Sequence, residues 1–126
     1  MAKEFLIDSN IVIDFIADRL SFESHQFIAD CIDQHPAISI VTKIELLGFS
    51  KVTPETEELV RTALVIGLTD EISDQTIILR RNYKIKLPDA IIAAAAMFFD
   101  RILITRNYSD FKIIKGLRLV HPLKYK

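Results

Sequence analysis

Asp8, Glu45 and Asp89 are the acids whose surroundings in the sequence suit them for chemistry. Asp8 ends the apolar run Phe5-Leu6-Ile7, Glu45 follows the run Ala37 to Val41, and Asp89 precedes Ala90 to Phe99, a stretch without one polar side chain. Asn107 and Asp110 come after a fourth apolar run, Ile102-Leu103-Ile104. Carboxylates gathered within a few ångströms repel one another and raise each other's pKa. A hard divalent cation relieves that repulsion: Mg²⁺ and Mn²⁺ prefer oxygen ligands and keep waters that a phosphate can displace. Hydrolysis of a phosphodiester is the reaction such a cluster suits.

Each acid also has a plainer reading. Asp89 after Pro88 fits a helix N-terminus, where a carboxylate gains from the dipole. Thr42-x-x-Glu45 matches a capping box, in which Glu45 would bond back to the Thr42 backbone. Asp110 can cap the turn before Phe111. Other chemistries lack their residues. His25, His35 and His121 are scattered without zinc spacing, and no glycine-rich phosphate loop occurs. Cys31 stands in an apolar stripe and reads as core filler.

Short apolar runs alternate with longer helical patterns. Strands are expected at Phe5 to Ile7, Ala37 to Val41, Leu64 to Ile66, Ile102 to Ile104 and Leu117 to Val120. Helices are expected after Asp8-Ser9-Asn10, from Ser21 to Gln34 with Phe22, Phe27, Ile28, Cys31 and Ile32 on the apolar side, from Thr53-Pro54-Glu55 to about Ala63, and from Asp70 to about Tyr83. Leu87 to Phe99 reads as a helix apolar all round, hence central. This alternation implies a three-layer α/β/α fold, one domain over residues 1–126, with a parallel sheet of about five strands. The strand-to-helix junctions then share one sheet edge. If the strand order reverses between the first and fourth strands, the acids face a single crevice.

Half of the 126 residues are hydrophobic and only three are glycine, which excludes a disordered chain. One cysteine, no signal-peptide pattern and no membrane-length apolar run lead us to expect a soluble cytoplasmic protein. The net charge of −1 conceals a division: residues 1–79 hold 14 acids against 5 Lys and Arg, and residues 80–126 hold 3 against 11. Such a split suits either a nucleic-acid surface or two solvated faces.

FLIDSNIVID, TKIELLGF, LPDAIIAAAAM and ILITRNYSDF, in this order and spacing, resemble the motifs of PIN-domain ribonucleases. The nearest likeness is to VapC-like toxins of type II toxin–antitoxin pairs, and it extends to the ending GLRLVHPL. The resemblance implies a Rossmann-like sheet and a Mg²⁺- or Mn²⁺-dependent endoribonuclease. By position, Asp8, Glu45 and Asp89 would bind the metal, with either Asn107 or Asp110 in the fourth place. Ser9, Asn10 and Thr105 would support them by hydrogen bonds. In-line attack by water held on the metal would leave a 5′-phosphate and a 3′-hydroxyl. Arg80, Arg81, Lys84, Lys86 and Arg106 lie nearest the acids in sequence and would serve as contacts to the RNA backbone. A homodimer and a cognate antitoxin are the partners the resemblance implies, with no membrane association.

Two rival readings stay open at this level. A non-catalytic PIN-like module would keep the fold and bind RNA or protein without turnover. A phosphoacceptor receiver would need paired acids after the first strand and a late lysine. Asp8 has no acidic neighbour, and Thr105-Arg106-Asn107 contains no lysine.

Overall fold

The computed structural model describes residues 4–122. The outer bounds of the expected domain, and the last leucine of GLRLVHPL, lie outside these residues. The elements are β1 (Phe5–Ile7), α1 (Ser9–Ile16), α2 (Phe22–Asp33), β2 (Ala37–Ser39), α3 (Ile40–Leu47), α4 (Pro54–Thr62), β3 (Leu64–Ile66), α5 (Asp70–Asn82), α6 (Leu87–Phe98), β4 (Ile102–Ile104), α7 (Tyr108–Phe111) and β5 (Leu119–Val120).

Every strand pair is parallel. β1 pairs with β4 in the register Leu6 to Leu103 and Ile7 to Ile104, β4 pairs with β5, and β2 pairs with β3. β2 runs beside β1, so the order across the molecule is β3-β2-β1-β4-β5. The one sheet of about five strands is thus two hydrogen-bonded ladders, of three and two strands, side by side. The chain moves outward from β1 on one side and returns to β4 on the other. This reversal is the condition that opens a crevice at the carboxyl ends of β1 and β4.

Alternation along the strands divides the interior into two cores. Leu6, Ala37 and Leu103 face α5 and α6, where they meet Ile72, Leu79 and the alanines of α6. Ile7, Ile38 and Ile104 face the other way, onto Ile11, Val12, Ile28, Leu59 and Val60. The result is the expected three-layer α/β/α arrangement. Ala93 to Ala96 are all buried on α6, which packs against α5, β2 and β4. Side chains this small let a helix approach its neighbours closely, and alanine carries the best helix propensity. No helix among the described residues is long and apolar enough to cross a membrane.

Several boundaries differ from the sequence expectation. β2 stops at Ser39, whose Oγ accepts from the Val41 amide at 3.1 Å and starts α3. The cap overrides the β-branched character of Ile40 and Val41. Thr42 is therefore inside α3, and the capping-box reading of Glu45 falls. Phe22 is 83% exposed and leaves the apolar side of α2. α6 is buried through its middle, but Leu87 and Phe98 at its ends are exposed, so it is not covered all round. The polar stretch after β4 contains a one-turn helix, α7, and β5 begins only at Leu119.

Candidate active site

Asp8 stands at the carboxyl end of β1 and is also the N-cap of α1. Its Oδ1 accepts from the Ser9 amide at 2.8 Å, and its Oδ2 accepts from Asn10 Nδ2 at 3.1 Å and Thr105 Oγ1 at 2.7 Å. Three donors on a 3%-exposed carboxylate leave it little rotational freedom. Thr105 is buried at the end of β4, and its hydroxyl also accepts from the Asn107 amide at 3.0 Å. The neighbour of β1 in the sheet thereby holds both Asp8 and the turn that follows.

Glu45 reaches this edge from the exposed side of α3, where its Oε1 accepts from Ser9 Oγ at 3.0 Å. Ser9 thus supports both acids, Asp8 through its amide and Glu45 through its hydroxyl, while Asn10 supports Asp8. Asp89 lies in the first turn of α6 and is half-buried. Burial pushes its carboxyl above the usual carboxylate range, and the charges of Asp8, Asp110 and Glu45 push it further. Lys86 acts in the opposite direction. Asp110 sits on the exposed face of α7 and shares a cavity of about 320 Å³ with Asp89, Lys84, Ile85, Lys86, Ser109 and Ile113. Asn107 is the N-cap of α7 but makes no side-chain cap bond.

The basic residues separate into three settings. Lys84 and Lys86 line the cavity that holds Asp89 and Asp110. Arg80 and Arg81 lie in the last turn of α5, and Arg80 Nη1 donates to the Ile85 carbonyl at 2.7 Å. Arg106 turns the other way: its guanidinium meets Asp14 Oδ2 at 3.1 Å. Asp14 is a residue that the sequence reading did not nominate. It is a fully buried carboxylate on α1, with Arg19 as its second partner at 3.5 Å. The available signal was its position four residues after Asn10, which puts both on one face of α1.

The remaining nucleophiles and bases play other parts. His25 stacks on Phe15, and His121 lies edge-on to Tyr108. Cys31 is pushed up to about 11, chiefly by burial and secondarily by Asp30, which suits packing rather than reactivity. Among the described residues, no three His, Cys, Asp or Glu side chains are disposed to hold one ion as they stand. The donor set nevertheless matches a hard divalent cation: oxygen ligands only, with Asp89 destabilised as an anion by three neighbouring acids.

No family model matches the chain, and no curated protein does. Solved structures do. The chain of a toxin–antitoxin complex from Klebsiella pneumoniae is 33% identical, with a TM-score of 0.78 over 96% of this chain and 99% of that one. VapBC-1 from nontypeable Haemophilus influenzae matches at 23% identity and a TM-score of 0.71, over 95% of this chain and 98% of that one. VapBC2 from Rickettsia felis, bound to a DNA fragment from their promoter, matches at 20% identity and 0.72, over 93% and 97%. The last two speak to the fold alone. With the Klebsiella relative aligned over nearly its full length, and with acids from β1, α3, α6 and α7 gathered at one sheet edge, the chain belongs to the VapC-like PIN-domain family.

Proposed function

We propose that this VapC-like protein is a Mg²⁺- or Mn²⁺-dependent endoribonuclease, the toxin of a toxin–antitoxin pair. The observation that carries the reading is the gathering of Asp8, Glu45, Asp89 and Asp110 at one sheet edge. Ser9 bonds to both Asp8 and Glu45, Asp89 and Asp110 line one cavity, and the charges of Asp8, Asp110 and Glu45 all act on Asp89. An acid cluster in which neighbouring charges disfavour the Asp89 anion is suited to bind a cation.

Asp8, Asp89 and Glu45 would hold the cation, with Asp110 or the neutral Asn107 as the fourth group. When bound, the ion supplies Lewis acidity toward a phosphodiester and its attacking water. The chain's own residues supply orientation. Asp8 is locked by Ser9, Asn10 and Thr105, and Glu45 is steered by Ser9. Lys84 and Lys86, which line the cavity, would offset the negative crevice and take the RNA backbone. Arg80 and Arg81 would extend that basic track.

The relative from Klebsiella was solved as a toxin–antitoxin complex, which supports a cognate antitoxin as partner. An apolar groove of about 460 Å³ beside Glu45, where Ile13 and Phe49 are exposed, offers that partner a seat. Ile77 and Ile78 on α5 and Leu87 on α6 are exposed as well and support a homodimer through that side.

Incubation of the purified chain with structured and unstructured RNAs tests the activity. Internal cleavage with Mn²⁺, lost with EDTA and in Asp89→Asn, is the expected result. Metal-dependent RNA binding without cleavage would favour a non-catalytic PIN-like module instead.

A further inference from the structure

Asp14 is a buried acid that the proposed chemistry does not use. Its side chain is 1% exposed, and an unpaired charge so placed would be costly. Arg106 Nη1 lies 3.3 Å from Asp14 Oδ1 and 3.1 Å from Oδ2. The Arg106 amide donates to Asn10 Oδ1 at 3.0 Å, and Asn10 Nδ2 donates in turn to Asp8 Oδ2. Asn10 and Asp14 are one helical turn apart on α1, so Arg106 is tied to that helix by its backbone at one point and its guanidinium at another. The residues on either side of it are tied too: Thr105 Oγ1 donates to Asp8 and accepts from the Asn107 amide. Asp110 follows within a single helical turn of this clamp.

Resting on the reading of this edge as a divalent-cation site, we propose that Asp14 is a positioning residue, which clamps Arg106 so that the Thr105–Asn107 turn holds Asp8 and Asp110 in register for one ion. Asp14 touches neither the ion nor RNA. It acts through Arg106, and only through it. Arg19, the other partner of Asp14, also donates its amide to the Asp14 carbonyl and belongs to the segment just after α1 rather than to the turn.

The test is a Mn²⁺ titration of RNA-free protein, followed by calorimetry, on wild type, Asp14→Asn, Arg106→Gln, the double variant and Arg19→Gln. Both Asp14→Asn and Arg106→Gln should bind Mn²⁺ about 10- to 100-fold more weakly, the scale on which outer partners of a metal site act. The double variant should be no weaker than either single one, as expected of residues that act as a unit. Arg19→Gln should bind as wild type does. A long-range charge effect would behave differently: loss of the Asp14 anion would weaken cation binding and loss of the Arg106 cation would strengthen it. Arg106→Lys, which keeps the charge, should recover part of the affinity. If Asp14→Asn does not fold, Arg106→Gln carries the test, because Arg106 is half-exposed. Undiminished affinity in Arg106→Gln, or an equal loss in Arg19→Gln, would overturn the proposal. Absence of any Mn²⁺ binding that depends on Asp89 would instead sink the metal reading, and this proposal with it.

Discussion

Thr105 Oγ1 donates to Asp8 Oδ2 at 2.7 Å, a buried hydrogen bond between residues 97 positions apart in sequence. It joins the carboxyl ends of two adjacent parallel strands, β1 and β4, at the place where the strand order reverses. The same hydroxyl accepts from the Asn107 amide, so one side chain sets both an acid and the turn beside it.

Thr105→Val keeps the shape of the side chain and removes both bonds. The Asn107 amide and an Asp8 lone pair lose a buried partner, which costs about 1–3 kcal/mol. Thr105→Ser should restore most of it. Chemical denaturation of the three proteins measures the difference, and a Thr105→Val protein as stable as wild type would show that the bond contributes little.

Asp89→Asn separates stability from activity. The folded-state pKa of Asp89 lies above its ordinary value, so the folded protein binds this proton more tightly than the unfolded chain does. Its charge therefore destabilises the fold at neutral pH, and the penalty is relieved as pH falls through the raised pKa toward the ordinary one. Asp89→Asn, without added metal, should equal or exceed wild type in stability at neutral pH, and the gap should close in acid. RNA cleavage should be lost at every pH. Thermal melts across that acid range, paired with a cleavage assay, check both statements.

Divalent cation should stabilise the native state by mass action, about 2.7 kcal/mol at a hundred times the dissociation constant. Mn²⁺ should raise the melting temperature of wild type, EDTA should reverse the rise, and Asp89→Asn should lack it. An equal rise in both proteins would place the ion elsewhere.

Lys84→Ala combined with Lys86→Ala should weaken RNA binding and flatten its salt dependence. Two lost phosphate contacts lower the slope of log K against log salt by about 1.4 for a single strand. Binding titrations at several salt concentrations, in the Asp89→Asn background to prevent turnover, give this slope. An unchanged slope would remove both lysines from the RNA path.

Thr42 Oγ1 is buried in α3 without a hydrogen-bond partner among the described residues. Thr42→Val keeps the β-branched shape and removes the polar atom, so a gain of about 1 kcal/mol is expected. Denaturant unfolding measures it, and a loss of stability would mean that the hydroxyl has a role in the fold.

Much of this architecture was legible from residue order because its signals are local. Apolar triplets such as Ile102-Leu103-Ile104 mark strands, while Thr53-Pro54 and Leu87-Pro88-Asp89 mark helix starts, and each depends on neighbours within a turn. Asp8 and Asp89 could be placed at a strand end and a helix start for the same reason. Where two local signals competed, as at Ile40-Val41-Thr42, the Ser39 cap won and the sequence expectation was two residues out.

Glu45 and Asp14 mark the limit of that reading. A partner for Glu45 within its own segment, Thr42, was available in the sequence, whereas the structure hands it Ser9, 36 residues away. Asp14 looks like an ordinary helix acid until Arg106 arrives from the far end of β4, 92 residues later. Which acids raise the pKa of Asp89, and that Asp110 is among them, follows from the order β2-β1-β4 across the two ladders. By itself the sequence determined the elements and the acids at their ends, since capping and periodicity act over a few residues. The tertiary structure alone decided how those acids are paired, because hydrogen bonds and charge repulsion act through space, and parallel strands bring together residues that the chain keeps far apart.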